Sequence, residues 1–271
     1  MNEWMRKTRL KKEGMVGMKL GIIGGTGFYG LLDDMSEESV NTEYGEVTVF
    51  QAVHEGKEII FLPRHGKNHD TLAPFVNYRA NMLAIKELGI ERILAFSAVG
   101  AIHPDIQVGS LSLLEQFVDL TTRVKTYGRY SVDMTEPFCP ELRHTFMEAA
   151  NEIDEPLKTN ATLICVDGPR YETKAEIQLY AAWGMDVVGM TNATEAALAR
   201  ELGMCYAVVT LATNMAPGIT EKKPSLKAHK AVSESRKHRV RELMLKAIEN
   251  ATGKKSCTCH AAYESALLAQ T

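Results

Sequence analysis

Residues 18–252 alternate short β-rich apolar runs with longer helical stretches, and this alternation restricts the chain to a layered α/β fold. Eight runs read as strands: KLGIIGG, EVTVFQAV, KEIIFLPR, RILAFSAVGAI, GSLSLLEQFVDL, ATLICVDGPR, MDVVGMT and CYAVVTLATN. Five stretches place apolar residues three and four apart and read as helices: NYRANMLAIKELG, ELRHTFMEAANEI, TKAEIQLYAAWG, ATEAALARELG and the long SLKAHKAVSESRKHRVRELMLKAIENAT. Three of them stop at a glycine, Gly89, Gly184 or Gly203, as a helix C-terminus commonly does. No internal repeat, low-complexity tract or linker interrupts the pattern. The expected architecture is a single-domain α/β layered fold, a central mixed β-sheet flanked by helices over 18–252. Residues 1–17 are expected to be a flexible extension and 253–271 a C-terminal tail.

Composition narrows the class of partner. The 271 residues are 45% hydrophobic and 24% charged, with a formal net charge of −3. That balance makes no electrostatic case for a nucleic-acid or membrane partner. No uninterrupted apolar run approaches the length of a membrane span, and the basic first 17 residues lack the apolar core of a signal peptide, so a cytoplasmic address is expected. Cys139, Cys165, Cys205, Cys257 and Cys259 form no C-x-x-C pair, and no cysteine and histidine share zinc-ligand spacing, so no metal site is expected. The segment SCTCH reads as a frayed tail with reduced thiols, or else as a strained Cys257–Cys259 disulfide; Cys139 with Cys205 is a further pairing left open.

Several strands end in small or polar residues where they should leave the sheet: GGTG, PRHG, FSAVG, DGPRYET, GMTNATE and ATNMA. Ligands of open α/β sheets bind outside the carboxyl ends of strands, so these ends point to one composite pocket. Gly25, Gly27 and Gly30 match a dinucleotide turn, G-x-G-x-x-G. That fingerprint also needs a helix packed directly behind the turn and an acid closing the next strand. Instead LLDDMSEESV follows, short, acid-rich and weakly periodic, and EVTVFQAV ends without an acid. The better reading is a turn whose backbone N–H groups and Thr26 hydroxyl face a small anion. Arg64 is the natural bidentate partner for phosphate oxygens, with His65 beside it, and Ser97 and Thr191 would add hydroxyl and backbone donors. No Walker lysine or carboxylate cluster accompanies them, which points to free orthophosphate.

GIIGGTGFYG, FLPRHGKNHD, VNYRANMLAIKELG, FSAVGAI, DLTTR, TEPFCPELR, DGPRYETKAE and GMTNATEAALARELG together resemble the trimeric purine nucleoside phosphorylase and methylthioadenosine phosphorylase family, closest to its archaeal 6-oxopurine members. The similarity runs from about Met18 to Ile248. It implies phosphorolysis of purine nucleosides to free base and sugar 1-phosphate, with phosphate as co-substrate and no metal or organic cofactor. It implies a phosphate site of Thr26, Arg64, His65, Ser97, Ala98 (through its backbone) and Thr191. Met190 would lie under the ribose, with the purine among Tyr171, Glu172, Asn214, Met215 and Ala216. Arg64, His65 and Asn214 are the implied catalytic groups. The resemblance also implies a homotrimer or homohexamer in which RYSVDMTEPF helps close a neighbouring pocket. MTNATE departs from the family's usual Val-Pro before the glutamate, while Glu195 is retained.

Two residues bear on which purine is used. The methylthioadenosine branch carries aspartates after TLAT, whereas here Asn214 stands first; its amide can donate to N7 and meet O6. The 6-oxopurine branch has glutamate at the position of Glu172, and a carboxylate accepts the N1–H of hypoxanthine or guanine but faces adenine N1 lone pair to lone pair. Inosine and guanosine are therefore the expected substrates. His229 is the candidate near the 5′ group, leaving methylthioinosine open and methylthioadenosine phosphorolysis as the alternative activity. A hydrolytic nucleosidase and a non-catalytic nucleoside-binding module are the remoter readings.

Overall fold

A computed structural model describes residues 17–25, 32, 34–253 and 256–268; most of the expected N-terminal extension, residues 1–16, lies outside them. Nine strands form one mixed sheet: β1 (Lys19–Gly24), β2 (Ser36–Thr42), β3 (Gly45–His54), β4 (Lys57–Pro63), β5 (Arg92–Ala101), β6 (Leu111–Asp119), β7 (Leu157–Cys165), β8 (Val187–Gly189) and β9 (Cys205–Met215). The order is β2-β3-β4-β1-β5-β8-β7-β6-β9, and β9 pairs again with β5, closing β5, β8, β7, β6 and β9 into a ring. Six α-helices are described: α1 (Tyr78–Glu87), α2 (Pro140–Glu152), α3 (Lys174–Ala182), α4 (Asn192–Glu201), α5 (Leu226–Asn250) and α6 (Cys259–Leu268). None is long and apolar enough to cross a membrane.

The strand period of two sorts side chains into layers. On β9, Tyr206 and Val208 join the core under α1 and α4, while Cys205, Ala207 and Val209 join the core under α2 and α5. β1 divides likewise, Ile23 to the first core and Leu20 and Ile22 to the second. Strands covered on both faces need apolar residues at nearly every position, which is why β5 and β9 read as continuous apolar runs.

Two segments depart from expectation. The acid-rich stretch after the glycine turn contains β2, which pairs antiparallel with β3 from Ser36↔Gln51 to Thr42↔Gly45. An edge strand with exposed Ser36 and Glu37 is held by backbone pairing, so its side chains need carry no apolar alternation. The segment expected to fray instead forms α6, whose first residue, Cys259, is buried in the second core. All five cysteines are free thiols, so neither Cys257–Cys259 nor Cys139–Cys205 is bridged.

Candidate active site

The ends of β1, β4 and β5 lie side by side: Gly24 pairs with Pro63, and Ile23 with Ala95. Arg64, the next residue after β4, is buried and forms a two-pronged ion pair with Glu195, Nε to Oε1 at 2.5 Å and Nη2 to Oε2 at 2.9 Å. Its Nη1 donates to the Phe96 carbonyl at 2.9 Å. Burial opposes the Arg64 charge, but the Glu195 carboxylate outweighs it and holds the guanidinium firmly protonated. Gly25 lies directly over this group: a Cβ there would come 3.1 Å from Arg64 Nη1 and 3.6 Å from the His65 ring. Thr26 lies outside the described residues.

Glu195 organises more than one partner. Tyr206 Oη donates to its Oε2 at 2.6 Å, and Asn192 Nδ2 donates to Tyr206 Oη at 3.0 Å. Asn192 Oδ1 in turn accepts the Ser97 hydroxyl at 2.6 Å. The expected Ser97 donor is therefore engaged with Asn192, and would have to turn from it to donate to an anion. Thr191, the N-cap residue of α4, has a buried hydroxyl side chain that caps nothing. Ala98, one residue beyond Ser97, is half-buried.

His65 donates through Nδ1 to the Thr71 carbonyl at 2.8 Å, the only arrangement that lets a carbonyl oxygen be its partner. Burial and the neighbouring Arg64 lower its pKa to about 4, so at neutral pH its Nε2 is a bare acceptor facing the Gly25 turn. His69 stacks edge-on against it at 4.8 Å. His229, in the first turn of α5, shares a 2.9 Å hydrogen bond between Nδ1 and Thr213 Oγ1; burial and then His69 and Lys230 favour its neutral form. The three histidines thus run from the Arg64 end toward Asn214.

Asn214 is half-buried on β9, beside Gly100 of β5. Its Nδ2 donates one hydrogen to the Met215 carbonyl at 3.0 Å, leaving the second for a ligand. Beyond Met215 and the buried Ala216, Gly218 packs on Lys174 of α3; a Cβ at Gly218 would meet Lys174 Cγ at 2.9 Å. The segment that follows Asn214 therefore meets the start of α3 at Gly218 and Lys174. Tyr171 is exposed and Glu172 is 8% exposed. The α3 N-terminus is already capped by Thr173 and Glu176, which satisfy one another's backbone, so Glu172 is not the capping carboxylate. Burial pushes the Glu172 pKa up, and among the described residues no side chain donates to it. Met190, following β8, presses on Gly168, where an added Cβ would overlap its Sδ.

The structure brings together Arg64, His65, Ser97 and Thr191, and separately Asn214, Met215 and Ala216 at the end of β9, with His229 adjoining them through Thr213 and with Glu172 just ahead of α3, whose Lys174 packs on Gly218. Asn192 and Tyr206 complete the first group and were not singled out from sequence. Asn192 sits in the MTNATE departure, a visible signal; Tyr206 reads as an ordinary strand aromatic.

A profile of the phosphorylase superfamily matches residues 19–249. The chain is 43% identical to the probable 6-oxopurine nucleoside phosphorylase of Thermococcus kodakarensis, over 92% of this chain and 98% of that one. It is 38% identical to the S-methyl-5′-thioadenosine phosphorylase of Pyrococcus abyssi, over 89% and 96%. The methylthioadenosine phosphorylase of Schistosoma mansoni in complex with adenine superposes with a TM-score of 0.87 at 28% identity, covering 93% of this chain and 98% of that one. This chain belongs to the phosphorylase superfamily.

Proposed function

We propose that this protein cleaves purine nucleosides with orthophosphate, favouring 6-oxopurines. The observation that carries the preference is Glu172, a buried carboxylate to which no side chain among the described residues donates, just ahead of a helix that packs on the segment following Asn214, whose amide has a spare N–H. An inosine or guanosine base supplies the missing donor through N1–H, while adenine leaves the carboxylate unmatched.

Phosphate binds where Arg64, the Gly25 turn and Thr191 converge. The guanidinium keeps two N–H groups outside its bonds to Glu195 and Phe96, and the α4 N-terminus faces anions favourably. Neutral His65 Nε2 accepts a hydrogen bond from the P–OH of hydrogen phosphate, and the proton stays on the phosphate. A phosphate oxygen then forms its bond to C1′ as the C1′–N9 bond breaks. The bond's electron pair passes to the purine, where the free Asn214 N–H stabilises charge at N7. Phosphate both attacks and offsets the oxocarbenium charge, so the protein acts by positioning and no organic cofactor is needed. His229, tied to Thr213 beside Asn214, meets the 5′ group.

Assembly as a trimer or hexamer fits the exposed apolar side chains Leu72, Phe75, Val124, Leu179 and Trp183. The deciding assay is base release from inosine, guanosine, adenosine, methylthioadenosine and methylthioinosine, with and without phosphate. Hypoxanthine release that requires phosphate, with adenosine far slower, is the expected result. Equal turnover without phosphate would replace phosphorolysis with hydrolysis.

A further inference from the structure

On β9 the neighbour of Tyr206 points to the opposite layer, and there Cys205 meets three other cysteines. The Sγ atoms of Cys139, Cys205, Cys257 and Cys259 all lie within 4.8 Å of one another. Cys205 and Cys257 are 3.4 Å apart, and none of the four is bridged. The sulfurs come from the N-cap of α2, the first residue of β9, and the C-x-C that opens α6. Spacing along the chain hides such a group because distant segments supply it.

A zinc ion held at about 2.3 Å by four thiolates sets its sulfurs roughly 3.8 Å apart, within the spread seen here. A multi-iron cluster would place several metal and sulfide atoms between the thiols, and this spacing does not admit them. The surroundings favour negative sulfur. Cys139 and Cys259 sit at the N-termini of two helices, α2 and α6, where the backbone dipole stabilises a thiolate. Arg200 is buried, tethers the Glu136 carbonyl just ahead of Cys139, and exerts its positive charge on Cys259. Four adjacent sulfurs, three of them buried, cannot all ionise side by side without a cation among them.

We propose that Cys139, Cys205, Cys257 and Cys259 form a structural site for one zinc ion. Binding releases the remaining thiol protons and leaves a doubly negative centre, which Arg200 and the two helix termini offset. The ion ties α6 to α2 and β9. The site stands at the start of β9, roughly 30 Å along the strand from Asn214, so it acts on stability and not on the reaction.

The test uses the full chain, reduced, freed of metal with a chelator, and titrated anaerobically with cobalt(II) and then zinc. We expect one equivalent per chain, the thiolate-to-cobalt charge transfer and intense visible bands of a tetrahedral site, and displacement of cobalt by zinc. Cys257→Ser, at a half-buried position, should weaken binding at least tenfold, while Cys165→Ser should leave it unchanged. Zinc should raise the thermal midpoint without altering kcat/KM. Three results would overturn the proposal. One is a folded, reduced chain that binds no equivalent. Another is a Cys257→Ser, Cys259→Ser double variant that binds as tightly as the parent. The third is a freshly isolated chain whose intact mass shows two bridges among the four thiols.

Discussion

A buried guanidinium needs a counter-charge, and Glu195 gives one to Arg64 while also accepting from Tyr206. Glu195→Gln leaves the cation unpaired and should cost about 3–5 kcal/mol. Tyr206→Phe removes one hydrogen bond to the carboxylate and should cost about 1.5–3 kcal/mol. Urea denaturation ranks the two; equal losses would mean that Arg64 does not depend on the ion pair. His65 gives a pH dependence with a definite sign. Its folded pKa of about 4 lies below the ordinary 6.5, so the unfolded chain binds more protons between those values. Its contribution to stability is complete above pH 6.5 and is lost as pH falls toward 4. His65→Asn should flatten that part of the urea-midpoint profile, and an unchanged slope would assign it to other groups. Glu172 has the opposite character, a carboxylate whose charge burial disfavours. Glu172→Gln should stabilise the unliganded chain at neutral pH while raising the KM for inosine. Asn214→Asp with Glu172→Ser should shift the adenosine-to-inosine ratio of kcat/KM toward adenosine by tenfold or more. If that ratio stays put, these residues do not read the base.

Turns at the strand ends turn residue identity into site geometry, and two glycines separate the phosphate and nucleoside halves. At Gly25 an added methyl meets the Arg64 guanidinium and no positive φ is involved, so Gly25→Ala should raise the phosphate KM with little change in the urea midpoint. At Gly168 the backbone sits at φ +70° and an added Cβ would overlap Met190 Sδ. Gly168→Ala should therefore cost about 1–3 kcal/mol in stability and raise the nucleoside KM more than the phosphate KM. Steady-state kinetics with each substrate varied in turn distinguish the two, and identical patterns would contradict the division. The same scale explains which elements the sequence reveals. α3 announces itself through Thr173 and Glu176, a local capping pair three residues apart. β2 does not, because its partner is β3 and its stabilising bonds are backbone ones.

Across the whole molecule, β5 is the common member: it pairs with β1, β8 and β9 and joins the closed ring to the open part of the sheet. Amide exchange should be slowest in β5 and β9 and fastest in edge strand β2, measured in the full chain by mass spectrometry. Equal protection of β2 and β5 would mean that the sheet opens as a single unit. Layering, most strands and five of the helices follow from local apolar periods, because burial of a strand face or helix stripe depends on residues two to four apart. Arg64, Glu172 and Asn214 stand out for a related reason: they sit where apolar runs stop. Which polar groups meet is decided otherwise. Tyr206 reaches Glu195 and Cys205 reaches Cys257 because β9 holds one register against β5, and a one-residue slip would exchange the two faces. Local pattern determines what each segment becomes; only long-range register, set by packing of the entire sheet, decides that a buried arginine finds its carboxylate and four scattered thiols find each other.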